Sequence, residues 1–396
     1  ELTQKDGRSD RIGGTFTLGS SDVGLTAEGP IGEKANFILS ARHSYLQWLF
    51  RALELPFLPT YTDLQFRVNY KPSDNHEFTL IGLGAIDQFE LNEAADDTEY
   101  QQYLLDNLPV TPQWNYTRGL VYKNYRKNSY TTVALRRSKL HNRSYKYEDN
   151  DEDDPDKLLQ DYTSVETYNS IRAENTSRVN GFKINVGGAF EYNTYETDNY
   201  QKIAIGNQVE VVDFNSILYF NTYTLFGQAS KSFFDEQLSV SAGFRSEFSN
   251  YSDAMNNPLD QLSPRLSLSY SFNDRLSLNA NTGIYYQLPP FTVLGYKNDE
   301  GDFVNKQNDI KYIRSTHYVA GLQYVLPTNT KISLEGFYKA YDDYPFLTRD
   351  SITLANLGSD FGTIGNEPAV PTSEGRSYGA ELFVQQKMYE GWYGLF

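Results

Sequence analysis

Four histidines, His43, His76, His141 and His317, are the only imidazoles in the chain, and they are too scattered to form a metal-binding pattern such as His-Glu-x-x-His. Cysteine is absent, which removes thiol catalysis, disulfides and thiolate metal sites. A hydrolase needs a nucleophile, a base and an orienting group held together. No such set is recognisable, so the chain reads as no enzyme and as needing no cofactor. The densest run of carboxylates spans 148–156. Hard cations take several carboxylate oxygens, which makes Asp149, Asp151 and Asp153 candidate calcium ligands. The run lacks the glycine an EF-hand loop requires at its sixth position, and a solvated, self-repelling loop is the favoured reading.

Aromatic residues carry the other recognisable chemistry. They make up 15% of the chain, with 32 tyrosines, 24 phenylalanines and 3 tryptophans. Trp48, Trp114, Tyr116, Tyr285 and Tyr344 lie near predicted strand ends and are candidate substrate contacts, offering ring faces on which a ligand stacks. Their competing role is a girdle at a lipid headgroup layer. The net charge of −16 disfavours a nucleic-acid partner, which would demand a face of Lys and Arg.

The elements that must hold these residues are strands. From Leu238 to Phe248, apolar Leu238, Val240, Ala242, Phe244 and Phe248 interleave with Ser239, Ser241, Gly243, Arg245 and Glu247. Leu266, Leu268, Tyr270 and Phe272 repeat the pattern, and it resumes after Asn273-Asp274 with Leu276, Leu278 and Ala280. Successive side chains of a strand point to opposite faces, so each run has one apolar and one polar face, and the Asn-Asp step is a hairpin turn. Inward-facing polar residues such as Arg245, Glu247, Glu335 and Lys339 suit a polar interior.

Tight turns, such as Lys71-Pro72-Ser73-Asp74, Val179-Asn180-Gly181 and Tyr389-Glu390-Gly391, alternate with long connections near 46–60, 91–113, 141–161, 198–214, 252–261, 287–311 and 344–374. Short turns at one end and long loops at the other characterise an outer-membrane barrel, whose apolar surface hides in every second residue. A polar mean hydropathy, −0.57, is compatible with that. The fold expected is therefore all-β, a transmembrane antiparallel β-barrel in contact with outer-membrane lipid and with its long loops extracellular. About 16 strands are expected, the first over 13–28 and the last a stub from 392, too short for the ~9–11 residues of a spanning strand. Phe396 is read as an accidental terminal aromatic, and further strands are expected to complete the wall.

Several segments resemble one family. Glu1-Leu2-Thr3-Gln4-Lys5-Asp6-Gly7-Arg8 is similar to the last plug strand entering the barrel of TonB-dependent receptors of the Bacteroidota type. Leu25 to Ile31 followed by Ser40 to Leu46 resembles their first hairpin, and Leu262 to Leu268 and Gly375 to Leu382 resemble recurrent strand signatures. The resemblance implies a barrel of about 22 strands, occluded by an N-terminal plug that is not in this chain. Residues 1–12 would be the end of the plug and its junction, and 13–396 the barrel. It further implies import of a large scarce nutrient (siderophore, glycan, peptide or similar), with energy from the TonB complex and a surface lipoprotein as a further candidate partner. The alternative is a passive 16-stranded porin or another outer-membrane channel.

Overall fold

The computed structural model describes residues 4–95, 98–205, 208–358, 363–389 and 391–395. Glu390 of the last predicted turn and the terminal Phe396 lie outside them. One sheet of 18 strands contains almost all the regular structure. The first nine strands are β1 (Gly13–Leu18), β2 (Asp22–Ile31), β3 (Ala35–Ser44), β4 (Phe57–Ser73), β5 (His76–Leu91), β6 (Gln113–Arg126), β7 (Ser129–Tyr147), β8 (Leu158–Val179) and β9 (Phe182–Ile205). They are followed by β10 (Gln208–Phe233), β11 (Leu238–Ser249), β12 (Leu262–Ser271), β13 (Leu276–Gln287), β14 (Ile313–Val325), β15 (Thr330–Leu347), β16 (Ile352–Thr353), β17 (Ala369–Tyr389) and β18 (Trp392–Leu395). Each strand runs antiparallel to the one before it. β17 is the exception: the two-residue β16 pairs antiparallel with only the end of β15, and β17 pairs antiparallel with β15 directly.

Cross-strand register turns the alternation of single strands into continuous bands. Val68, Leu80, Leu120, Leu135, Ile171, Phe190, Tyr223 and Phe248 face one another in one row from β4 to β11. A second row, Leu238, Tyr270, Leu278, Leu322, Leu334 and Leu382, continues across β11 to β17. Leu120, Leu135, Leu322, Leu334 and Leu382 are all largely exposed. Large aliphatic side chains exposed in rows, with polar residues on the reverse face, are what a wall facing hydrocarbon requires. The reverse face pairs polar groups with one another, as where Thr79 donates to Asn69 at 3.1 Å and Asn193 to Thr222 at 3.0 Å. Below the first row, Tyr70, Phe78 and Tyr122 stand side by side, with ring centroids 6.4 and 4.9 Å apart, as an aromatic band near the short turns.

Turn chemistry closes the short end. Asn180 and Gly181 both have positive φ, 50° and 78°, in the two-residue turn joining β8 to β9, the conformation that matches the twist of a hairpin. At Asn273 the side-chain oxygen accepts from the backbone N–H groups of Arg275 and Leu276, both at 2.9 Å, which fixes the turn between β12 and β13.

The structure corrects two expectations. The single strand expected over 13–28 is two, β1 and β2, joined by a turn at 19–21 in which Gly19 N–H donates to Asp22 O at 2.8 Å. The loop expected over 198–214 is mostly strand: β9 and β10 stay in register from Lys183↔Ser230 to Ile205↔Gln208. These two strands have 24 and 26 residues, far beyond the ~9–11 needed to cross a bilayer, so the hairpin projects well past the wall on the loop side.

Candidate functional site

The long loops do not simply hang in solvent. Those after β11, β13 and β15 fold onto the inward face of the projecting β9–β10 hairpin and build the main buried apolar cluster of the described residues. Tyr195, Leu218 and Phe220 supply the wall side, and Tyr251, Met255, Phe291, Val293, Leu294, Ile310 and Tyr312 the loop side. Phe291 is central: its ring lies 5.6 Å from Tyr168, 5.7 Å from Tyr195 and 5.4 Å from Phe220. Such offset and edge-to-face contacts are the favourable arrangements of aromatic rings.

Buried polar groups lock this roof in one arrangement. Asn305 donates to the carbonyls of Val293 (2.7 Å) and Glu367 (2.9 Å) and accepts from the N–H of Ala369 (2.6 Å), so one amide ties two loops together. Asn366 donates to Asn199 at 3.3 Å and to Gln201 at 3.1 Å, fastening the last loop to β9. The Glu367 carboxylate accepts from the N–H groups of Arg349 and Asp350 and lies 3.5 Å from the Arg349 guanidinium. Burial pushes this carboxyl up to about 7, against the pull of Arg349. Burial also raises the Tyr251 hydroxyl, which donates to Leu294 O at 2.9 Å.

Below the roof the inner wall is charged and paired. Arg136 pairs with Glu191, Arg245 with Glu247, and Arg172 with Glu174 at 2.6 Å. Further round, Arg265 lies over the Tyr285 ring at 4.5 Å, and Tyr285 lies 4.5 Å from His317, which faces Lys339 in the register. This is a cationic, aromatic patch on the polar face, able to receive an electron-rich ring or an anion.

Residues 4–8 run along the inner wall near its short-turn end. Asp6 pairs with Arg67 at 2.6 Å, Arg67 donates to Gln4 O at 3.0 Å, and Lys5 pairs with Glu28 at 3.2 Å. A methyl group added at Gly7 would lie 2.0 Å from the Phe37 carbonyl oxygen, so only glycine permits this close approach to β3.

The candidate residues read from the sequence do not converge. Trp48 sits on a short helix, α1 (Leu46–Ala52), 69% exposed and 5.9 Å from Tyr45. Trp114 and Tyr116 stack 6.4 Å apart on the same face as Leu120, toward lipid. Tyr285 belongs to the inner patch, and Tyr344 meets Tyr341 edge-on at the loop end of β15. In the acidic run, Lys157 lies 3.3 Å from Asp149 and 3.0 Å from Asp151. Among the described residues no group of three or more His, Asp or Glu is arranged to hold a metal. Two features escaped sequence reasoning. The roof residues lie in loops without periodicity, whereas Arg118 and Arg137 did leave a signal, since both are charges in phase with an apolar face.

An antiparallel meander with a lipid-facing apolar face, a polar inner face and a loop-filled mouth defines a transmembrane β-barrel. Residues 59–396 match the family described as TonB dependent receptor-like, beta-barrel, and the chain belongs to that family. Among solved structures, the copper transporter OprC superposes with a TM-score of 0.69 at 14% identity, over 98% of this chain and 61% of that one. A mutant of the ferric enterobactin receptor PfeA of Pseudomonas aeruginosa gives 0.65 at 12% identity, over 93% and 57%. The siderophore receptor PirA of Acinetobacter baumannii gives 0.64 at 12% identity, over 92% and 57%. The present chain thus spans about three-fifths of the length of these structures, and the likeness is one of fold. No curated protein sequence matches it.

Proposed function

We propose that the chain is wall and mouth of an outer-membrane importer in which a plug, driven through TonB, admits a large scarce nutrient captured by the extracellular loops. The observation that carries this reading is the segment 4–8 held against the inner wall by Asp6–Arg67 and Lys5–Glu28, the arrangement expected where a plug passes into its barrel. Residues 1–12 are accordingly assigned to that junction and 13–396 to the barrel. The likeness to receptors of the Bacteroidota type extends the proposal to a surface lipoprotein over the loops and to the TonB complex beneath. The test is planar-bilayer recording of the full-length protein. A plugged importer gives no steady open-pore conductance until its plug is unfolded with denaturant, whereas steady conductance in the native state would establish a passive channel.

A further inference from the structure

Arg118 and Arg137 face each other across β6 and β7, and Lys139 faces Tyr116 two pairs closer to the loops. Two pairs away on the other side are Leu120 and Leu135, members of the lipid-facing row. Because residues two apart share a face, the three cations point outward, on the loop side of the apolar row. Inward-pointing Arg136, next along the chain, has Glu191 as its ion-pair partner. Among the described residues Arg118, Arg137 and Lys139 have no ion-pair partner, and their contacts are neutral. Arg137 donates to Tyr116 at 3.3 Å and to Asn169 at 2.9 Å, Arg118 lies 6.0 Å from the Tyr116 ring, and Lys139 lies 5.8 Å from the Trp114 ring.

Beside them the wall is indented. Gly82 and Gly84 face Arg118 and Tyr116, and Leu64, Phe66 and Ile86 complete a shallow apolar groove with Trp114. Trp and Tyr on a lipid-facing surface mark the headgroup zone. Unpaired charges against hydrocarbon are costly, and long basic side chains reach along the wall to a polar partner at the interface.

We propose that Arg118, Arg137 and Lys139 bind the phosphate of a phosphorylated glycolipid of the outer leaflet, whose acyl chains lie along Leu80, Leu120, Leu135 and the neighbouring groove. Two guanidinium forks and an ammonium match the several oxygens of a phosphate monoester, and the apolar row continues directly from them. The proposal rests on the outer-membrane reading but not on transport, so it is tested by binding to purified full-length protein.

Native mass spectrometry in detergent with bisphosphorylated lipid A as probe is expected to show a retained complex that the triple variant R118Q/R137Q/K139Q weakens at least tenfold. Phosphatidylethanolamine binding should be unchanged, and excess inorganic phosphate should compete with lipid A. Heat-modifiable migration in gel electrophoresis verifies that the variant is folded. K231Q, which removes a cation near the short-turn rim, should leave lipid A binding intact. Equal lipid A affinity in the folded triple variant would overturn the proposal, as would an equal loss from K231Q. Failure of the import reading would show instead as steady pore conductance with lipid binding intact.

Discussion

Phe291, carried by the loop after β13, stands edge-on to Phe220 of β10, with ring centroids 5.4 Å apart and planes at 85°. A loop residue is thus packed as a core residue. Phe291→Ala should remove about 3–5 kcal/mol of packing free energy from the roof. Because the wall strands do not depend on it, the barrel itself should stay folded. Limited proteolysis should then cut within 288–312 in the variant and spare the wild type, while heat-modifiable migration is retained.

Asn305 makes three buried hydrogen bonds to backbone groups of two loops. Asn305→Ala leaves two carbonyls and one N–H unpaired, each costing about 1–3 kcal/mol when buried. Hydrogen exchange at the Ala369 amide, the group that loses its acceptor, is expected to accelerate by at least tenfold.

The roof should respond to pH through Glu367, which is 1% exposed. Its folded carboxyl is raised from 4.5 to about 7, so the folded loop holds this proton more tightly than the unfolded chain. That contribution to stability is complete below the ordinary carboxyl range and is lost as pH rises toward about 7. Exchange of roof amides, corrected for intrinsic rates, should therefore be slower at low pH than above neutrality. Glu367→Gln, neutral throughout, should flatten that difference.

Arg67 is the inner-wall anchor of residues 4–6. Asp6 is half exposed, so the ion pair itself contributes only about 0–1 kcal/mol. Arg67→Ala should leave the thermal stability of the wall nearly unchanged while residues 4–8 become protease-sensitive. Gly7→Ala should release the same segment by collision with Phe37, without touching the ion pair.

Within the bilayer the wall was legible because water and hydrocarbon lie on opposite faces, and Leu266, Leu268 and Tyr270 alternate with serines in response. Beyond the bilayer that contrast disappears. Thr197 to Gln201 and Val212 to Ser216 remain paired, but no apolar face is required, and the segment reads as loop. The turn at 19–21 was hidden because only three residues separate β1 from β2. Trp114 and Tyr116 illustrate the limit at the site: side-chain type marks an aromatic surface, and only register with Leu120 and Leu135 shows that it faces outward.

The roof ties β9 and β10 to the loops between β11 and β17, strands that are separated around the circumference, and so acts as a cross-brace. Ovalisation of the rim is resisted on that arc. From β1 to β7 the ties in the described residues join only near neighbours, such as Lys146 of β7 donating to Leu108 O at the end of the helix between β5 and β6. Any widening of the mouth is therefore concentrated on the unbraced arc.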